Sequence, residues 1–97
     1  MAGQKSIPKE TETISAMKTL VYELVVCLVD KPNEVSIQAV TNGEVTSLRV
    51  RVAPEDVGKL VGKQGRTARS LRTILSAASM TRQQRFSLDI LEERSTP

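Results

Sequence analysis

Apolar residues recur at helical spacing from Ile14 onward, at positions 14, 17, 20, 21, 24, 25 and 28, with polar residues between them. This pattern predicts a first helix that begins at Ile14 and ends near the Lys31-Pro32 dipeptide. The second half of the segment is rich in β-branched residues, so a strand over residues 24–29 is the competing interpretation. As a helix, the segment has more apolar surface than one sheet covers, which predicts deep burial or a partner surface.

Two segments of alternating polarity follow, and together they predict a β-hairpin. Apolar residues alternate with polar ones over residues 35–40 and again over 48–52. The Asn42-Gly43 dipeptide between them suits a two-residue type I′ turn. That turn would pair Ile37 with Leu48, so that the apolar faces of the two strands match. The same register sends Arg49 and Arg51 to the opposite, solvent-facing side.

The second half of the chain predicts two helices and a strand. Pro54 with two acidic residues after it is typical of a helix start. That short helix ends at Gly62, and a third helix runs from Arg66 to about Met80. Alternation over residues 86–91 predicts a last strand. The order α-β-β-α-α-β indicates an α+β domain, with three helices on one face of a three-stranded sheet.

The composition suits one domain. A chain of 97 residues with 39% hydrophobic content can bury a single small core. We predict this domain over residues 14–92, with flexible polar tails at 1–13 and 93–97. The single cysteine, Cys27, lies in an apolar run, which predicts a buried thiol.

The side chains that the sequence lacks exclude several function classes. The chain has no histidine, and its adjacent carboxylates occur only in pairs that cannot face one another on a helix or strand. We therefore expect no enzyme, no metal and no cofactor. The longest apolar-rich run, residues 20–29, is interrupted by Glu23 and is too short to span a bilayer. The N-terminus lacks a signal-peptide pattern, so we expect a cytoplasmic protein.

Positive charge is concentrated in the second half of the chain. Residues 57–88 contain seven of the 14 Lys and Arg residues and none of the 11 acidic residues, so the rest of the chain has a formal charge of −4. Such segregation is typical of a surface that binds a polyanion. A solvated basic helix face is the alternative interpretation. The basic residues of this segment are Lys59, Lys63, Arg66, Arg69, Arg72, Arg82 and Arg85.

The join between the second and third helices contains two glycines. Gly62 can end one helix in a left-handed conformation, and Gly65 can open the next, whose first N–H groups attract anions. A sugar-phosphate backbone could lie directly against these two residues, with Lys63 and Arg66 beside it. A purely structural turn is the alternative, because glycines end helices in many proteins.

The stretch Leu60-Val61-Gly62-Lys63-Gln64-Gly65 resembles the signature of KH domains, two aliphatic residues followed by GxxG between two helices. The element order matches their type II arrangement, and the unit from about Ile14 to Leu91 resembles the small bacterial single-KH RNA-binding proteins of the KhpA (YlqC-like) family. By this resemblance the last two strands run parallel and the hairpin strand takes the edge. Single-stranded RNA, about four nucleotides of it, would lie between the glycine turn and the sheet.

The resemblance also assigns roles to residues. The four residues of the turn would contact the RNA backbone, Leu60 and Val61 would help to form an apolar groove floor, and residues 81–85 match the variable loop. Ala68 departs from the pattern, because many KH domains have a bulky aliphatic residue there. The predicted RNA contacts are Lys59, Leu60, Val61, Gly62, Lys63, Gln64, Gly65, Arg66 and Arg69, with Arg82, Gln84 and Arg85 in the variable loop.

The family resemblance implies partners as well as a ligand. It suggests a homodimer, or a heterodimer with a larger KH-containing protein (KhpB/Jag/EloR-like), that acts as an RNA chaperone or regulator linked to cell shape and division. Two other functions compete with RNA binding. One is a DNA-binding helix-turn-helix that uses Arg66, Arg69 and Arg72 on the third helix. The other is a protein-interaction module whose apolar first helix is the working surface.

Overall fold

The computed structural model of the chain describes residues 9–81 and 84–91. Three helices pack on one face of a three-stranded mixed sheet, as the sequence predicts. Short 3₁₀ turns lie at Pro32–Glu34, Pro54–Asp56 and Lys63–Gly65. The main elements are α1 (Lys9–Val26), β1 (Ser36–Asn42), β2 (Val45–Arg51), α2 (Val57–Val61), α3 (Arg66–Met80) and β3 (Arg85–Ile90).

Helix α1 begins and ends earlier than its apolar pattern predicts. It starts at Lys9 rather than Ile14, so residues 9–13 of the predicted tail are helical. The buried positions of α1 recur every four residues, at Thr13, Met17, Val21 and Val25, so the polar Thr13 extends the inward face by one turn. The other predicted tail residues, 1–8 and 93–97, lie outside the described residues.

The segment after α1 corrects the prediction of a buried cysteine. The helix ends at Val26, where the N–H groups of Leu28 and Val29 both donate to the carbonyl of Val25. This turn carries Cys27 to the surface and returns Val29 to the core. An apolar neighbourhood in sequence therefore did not mean burial. Within the described residues, no helix has the length and apolar character needed to cross a bilayer.

The sheet has the predicted order but not the predicted hairpin register. β2 lies between β1, its antiparallel partner, and β3, its parallel partner. Ile37 pairs with Val50 and Ala39 with Leu48, so the predicted pairing of Ile37 with Leu48 is wrong by two residues. The loop is Gly43-Glu44, and Asn42 belongs to the strand. Because strand polarity repeats every two residues, this shift keeps the apolar face facing the helices.

A buried carboxylate holds the start of α2 against the segment after α1. Asp56 is 1% exposed, and its Oδ2 atom accepts a hydrogen bond of 2.9 Å from the backbone N–H of Lys31. The Lys31 ammonium lies 2.8 Å from Glu55 Oε2 at the surface. Besides Asp56, the largest fully buried side chains are Val25, Leu48, Val50, Leu60 and Leu75. The hydrogen bond and the ion pair thereby hold the start of α2 against the segment that follows α1.

Candidate nucleic-acid interface

The turn between α2 and α3 has a backbone that few residue types adopt. Gly62 has φ 78° and ψ 174°, a region that is essentially restricted to glycine. Gln64 (φ 57°) and Gly65 (φ 72°) are left-handed, and Gln64 is the one non-glycine residue with positive φ among residues 9–81 and 84–91. Backbone strain of this kind clusters at ligand-binding sites. The turn is therefore a candidate site on its geometry alone.

The two glycines of the turn differ in what requires them. A Cβ atom on Gly62 would lie 2.7 Å from the Cβ atom of Thr67, so the fold itself excludes a side chain there. A Cβ atom on Gly65 would meet nothing within 4 Å. Packing therefore does not require glycine at position 65, although the positive φ at this position favours it. An external group can approach the backbone closely at Gly65.

The amide groups that open α3 are used inside the turn. The N–H of Gly65 donates to the carbonyl of Gly62 at 3.1 Å, and the N–H of Arg66 donates to the carbonyl of Lys63. The expectation that the first amides of this helix hold an anion is wrong for these two groups, because the 3₁₀ turn satisfies them first. The side chains beside these two amides are a further source of positive charge at the turn.

Three exposed cations surround the glycine turn. Lys63 follows Gly62 and Arg66 follows Gly65, and Arg69 lies one helical turn further along α3. None of the three forms a salt bridge within the part of the chain that the structure describes. The turn therefore presents positive charge that no carboxylate within residues 9–81 and 84–91 neutralises.

Lys59 differs from these three cations because it is paired. Its ammonium lies 3.2 Å from a carboxylate oxygen of Asp30 and 3.5 Å from one of Asp56. The hydrogen bond and the charge of Asp30 raise the pKa of Lys59, so the ammonium stays protonated while its charge is balanced. Lys59 ties α2 to the segment after α1, and it is a weaker candidate for a phosphate contact.

A groove of about 410 Å³ lies between α3 and β3, within two helical turns of the glycine turn. Arg72, Leu75 and Ser76 line its α3 side, and residues 86–89 line the other. The Nε atom of Arg72 donates to the carbonyl of Leu88 at 3.3 Å, which fixes this arginine across the groove. Because β3 is an edge strand, its outer backbone groups face away from β2, as the carbonyl of Leu88 does, and groups of this kind can bond a ligand.

The aliphatic pair before the turn is divided between core and surface. Leu60 is 0% exposed, so the expectation that it forms part of a groove floor is wrong. The five-residue helix α2 supplies the core with this one buried side chain. Val61 is half-buried and keeps some accessible surface, but neither residue lines the α3–β3 groove.

The groove contains residues that sequence reasoning did not select. Ser76 contributes from α3, and Phe86, Ser87 and Asp89 contribute from β3. The four-residue interval from Arg72 to Ser76 places both on one side of a helix, which was a usable signal. The sequence alone could not show that β3 lies beside that side.

The predicted variable loop lies at the other end of α3. Gln84 is half-buried and Arg85 is exposed, and both line a second cavity near the hairpin rather than the α3–β3 groove. Arg82 lies outside the described residues. Ser76 and Phe86 line both cavities, so the second cavity lies next to the groove.

The element order, the parallel pairing of β2 with β3 and the GxxG turn between two helices define a KH domain of type II. A family model described as the KhpA/KhpB KH domain matches residues 18–90. The chain therefore belongs to the KhpA/KhpB KH-domain family. This assignment removes the helix-turn-helix alternative as a description of the fold.

Several named relatives align with most of the chain. The RNA-binding protein KhpA of Halalkalibacterium halodurans is 41% identical over 76 residues, which are 78% of this chain and 100% of the relative. The RNA-binding protein KhpA of Treponema pallidum is 44% identical over 80 residues, 78% of this chain and 100% of the relative. That of Clostridium acetobutylicum is 41% identical over 75 residues, with 77% and 100% covered. The family is not enzymatic, which confirms the expectation drawn from the missing catalytic side chains.

Proposed function

We propose that the chain binds single-stranded RNA, holding the sugar-phosphate backbone at residues 62–65 and seating about four bases in the α3–β3 groove. The observation that carries this proposal is the open, side-chain-free position of Gly65 between exposed cations. The relatives named above as RNA-binding proteins support RNA as the ligand.

The exposed residues in and beside the turn have different proposed roles in RNA binding. Lys63 and Gln64 are exposed on the turn, and this exposure supports contacts of both side chains with phosphate and sugar oxygens. Arg66 and Arg69 extend the positive surface along α3. Because most of these contacts involve the RNA backbone, we expect weak, salt-dependent binding with little sequence preference.

The other predicted contacts have secondary roles in this proposal. Val61 offers apolar surface next to the turn, with Leu60 buried behind it. Lys59 contributes a charge that its carboxylate partners already balance. In the variable loop, Gln84 and Arg85 would border the far end of the strand, and Arg82, outside the described residues, stays a predicted contact.

The combined substitution of Lys63→Asp with Gln64→Asp tests the proposal. Replacing a cation and a neutral side chain by two carboxylates repels phosphate, so we expect no measurable binding of a labelled oligoribonucleotide by fluorescence anisotropy. The fold should be unchanged because both residues are exposed. Aspartate also tolerates the left-handed backbone of Gln64. Circular dichroism and thermal melting should therefore match the wild type.

A matched control changes the same total charge away from the turn. Lys18→Glu with Gln38→Glu places the new carboxylates on α1 and β1 and should retain most of the RNA affinity. Equal loss in both double variants would mean that only net charge matters, and retained binding in the turn variant would remove the turn as the site. Competition with duplex DNA separates this function from DNA binding, since we expect single-stranded RNA to win.

We also propose that two copies of the chain associate through apolar side chains exposed on the helices. Ile74 on α3 is 42% exposed and Tyr22 on α1 is 43% exposed. Ile74 lies one helical turn from the small residues Ser70 and Ala77, which allow close approach of another surface. Ile74→Lys should shift the protein from dimer to monomer in sedimentation equilibrium. A wild-type monomer would instead favour the heterodimer with a larger KH-containing protein.

At the cellular level, we propose a cytoplasmic RNA chaperone or post-transcriptional regulator linked to cell shape and division. Backbone contacts that do not read sequence suit a protein that acts on many RNAs. A strand-annealing assay tests this step, because a chaperone should accelerate pairing of complementary RNAs. The Lys63→Asp/Gln64→Asp variant should lose that acceleration together with binding.

A further inference from the structure

A cavity of about 880 Å³ opens at the hairpin end of the domain, and the proposed function assigns no ligand to its interior. Its lining comes from α1, the β1–β2 hairpin, α3 and β3. The volume lies within the range of ligand-binding pockets, roughly 300–1,000 Å³. Residues that line it include Thr41, Thr46, Ser79, Met80, Arg85 and Phe86.

The wall of the cavity carries hydroxyl groups that retain hydrogen-bonding capacity. Thr46 and Ser79 are 3% and 6% exposed. The Oγ1 atoms of Thr41 and Thr46 share one hydrogen bond of 3.1 Å, and the hydroxyl of Ser79 donates to the carbonyl of Ser76 at 2.9 Å. Since each hydroxyl has a single hydrogen, the threonine pair keeps one donor and Ser79 keeps only acceptor capacity. A ligand with both donors and acceptors on one edge can satisfy these groups.

The apolar and charged residues of the cavity further restrict the chemical class of ligand that fits it. Phe86 and Met80 provide an aromatic ring and a thioether for a flat apolar surface. Glu44 also lines the cavity and disfavours a phosphate inside it, whereas the exposed Arg85 can pair with a phosphate at the surface. A flat heterocycle with a polar edge, joined to an external phosphate, fits this distribution. A nucleobase has that chemistry.

The cavity adjoins the α3–β3 groove at Ser76 and Phe86, which line both. We propose that the hairpin-end cavity is a nucleobase site, which takes a base of the same RNA strand beyond the bases held in the groove. This proposal rests on the proposed function. It adds a second binding element, so a strand longer than the groove binds more tightly than one that only fills it.

Methionine methyl NMR tests the cavity in the wild-type chain. Met80 lines the cavity and is 76% exposed, whereas Met17 is 5% exposed in the core and serves as an internal reference. Oligouridine and oligoadenine of about four nucleotides match the capacity of a KH groove, and strands about twice as long extend past it. We expect the longer strands to shift the Met80 methyl resonance, and the shorter strands and Met17 to show little change.

The double variant Thr41→Val with Thr46→Val removes the hydroxyl pair with little change in side-chain volume. It should weaken binding of the longer strands about two- to tenfold, as expected for one or two hydrogen bonds, and leave the shorter strands unaffected. Thr73→Val is the matched control, because Thr73 is exposed on α3 and does not line the cavity. Thermal melting of both variants checks that the fold is retained.

The outcomes separate this proposal from the one on which it rests. If long and short strands affect Met80 equally, or if the threonine variant weakens both equally, the cavity is not a base site and the groove assignment stands. If Met80 does not respond to a long strand that binds, the same conclusion follows. If neither strand binds the wild type, the proposed function fails, and the cavity site fails with it.

Discussion

Gly58, Gly62 and Gly65 lie close together in the chain, yet the fold requires them to different extents. Gly58 lies in α2, and a Cβ atom there would meet nothing within 4 Å. We predict that Gly58→Ala stabilises the domain by about 0.4–1 kcal/mol, because alanine restricts the unfolded chain. Gly65→Ala should cost about 1–2 kcal/mol for the left-handed backbone alone. Gly62→Ala should cost more than Gly65→Ala, because Thr67 must also move.

Urea denaturation of the three variants checks this order. The midpoints should rank Gly58→Ala above wild type, then Gly65→Ala, then Gly62→Ala, with similar slopes for all four proteins. Equal midpoints for the substitutions at 62 and 65 would mean that the turn relaxes around the new methyl group. The structural demand at Gly62 would then be no greater than that at Gly65.

The buried carboxyl of Asp56 should make the stability of the domain depend on pH in acid. Burial alone would raise its pKa, but the backbone N–H groups of Lys31 and Asp30, with the ammonium of Lys59, outweigh burial and lower the pKa below the ordinary 3.8. A lowered pKa contributes stability that is fully present above 3.8 and is lost as the pH falls through the folded-state value.

We predict that Asp56→Asn is less stable than wild type at neutral pH and that the difference shrinks in acid. Urea midpoints measured across the acid range test this. The pKa of Glu55 is also lowered, chiefly by its hydrogen bond to Lys31, so part of the acid dependence should persist in the variant. Glu55→Gln is the companion control. If the difference in stability between Asp56→Asn and wild type stayed constant at all pH values, a lowered pKa for Asp56 would be contradicted.

At the scale of elements, the helix break at the glycine turn was predicted better than the start of α1 or the register of the hairpin. The break between α2 and α3 follows from the backbone freedom of glycine at two positions, so the sequence located it correctly. The start of α1 was missed because residues 9–13 are polar and give no apolar signal, although Glu10 and Glu12 favour a helix start. The hairpin register was missed because strand alternation is unchanged by a shift of two residues.

The observed register makes a prediction that the sequence-based register does not. Asn42 pairs with Val45 as a strand residue, and Gly43 with φ 68° is the first of the two loop residues. Asn42→Thr should therefore change stability by less than about 1 kcal/mol, because a β-branched residue suits a strand. Gly43→Ala should cost about 1–2 kcal/mol. Urea denaturation of the Asn42→Thr and Gly43→Ala variants decides between the registers. With a type I′ turn at Asn42-Gly43, both substitutions would destabilise the domain.

At the scale of the whole molecule, the segregation of charge was visible in the sequence but its pairing was not. Residues 57–88 contain no acidic residue, yet Lys59 reaches Asp30 across the fold and Arg72 is bonded to the carbonyl of Leu88. Such contacts depend on which segments the fold brings together, and no local pattern encodes them. Within the described residues, Lys63, Arg66 and Arg69 form no salt bridge, and these three are the proposed phosphate contacts at the turn.

This division of charges predicts how RNA binding responds to salt. For a single strand, each neutralised phosphate contributes about −0.7 to the slope of log K against log salt concentration, so three contacts give a slope of about −2. Arg69→Gln should reduce the magnitude of the slope by about 0.7. Lys59→Gln should leave it close to wild type, because Asp30 and Asp56 already balance that ammonium. Anisotropy titrations over a range of KCl concentrations measure the slopes. If Lys59→Gln lowered the slope as much as Arg69→Gln, the ion pairs of Lys59 would have to open when RNA binds.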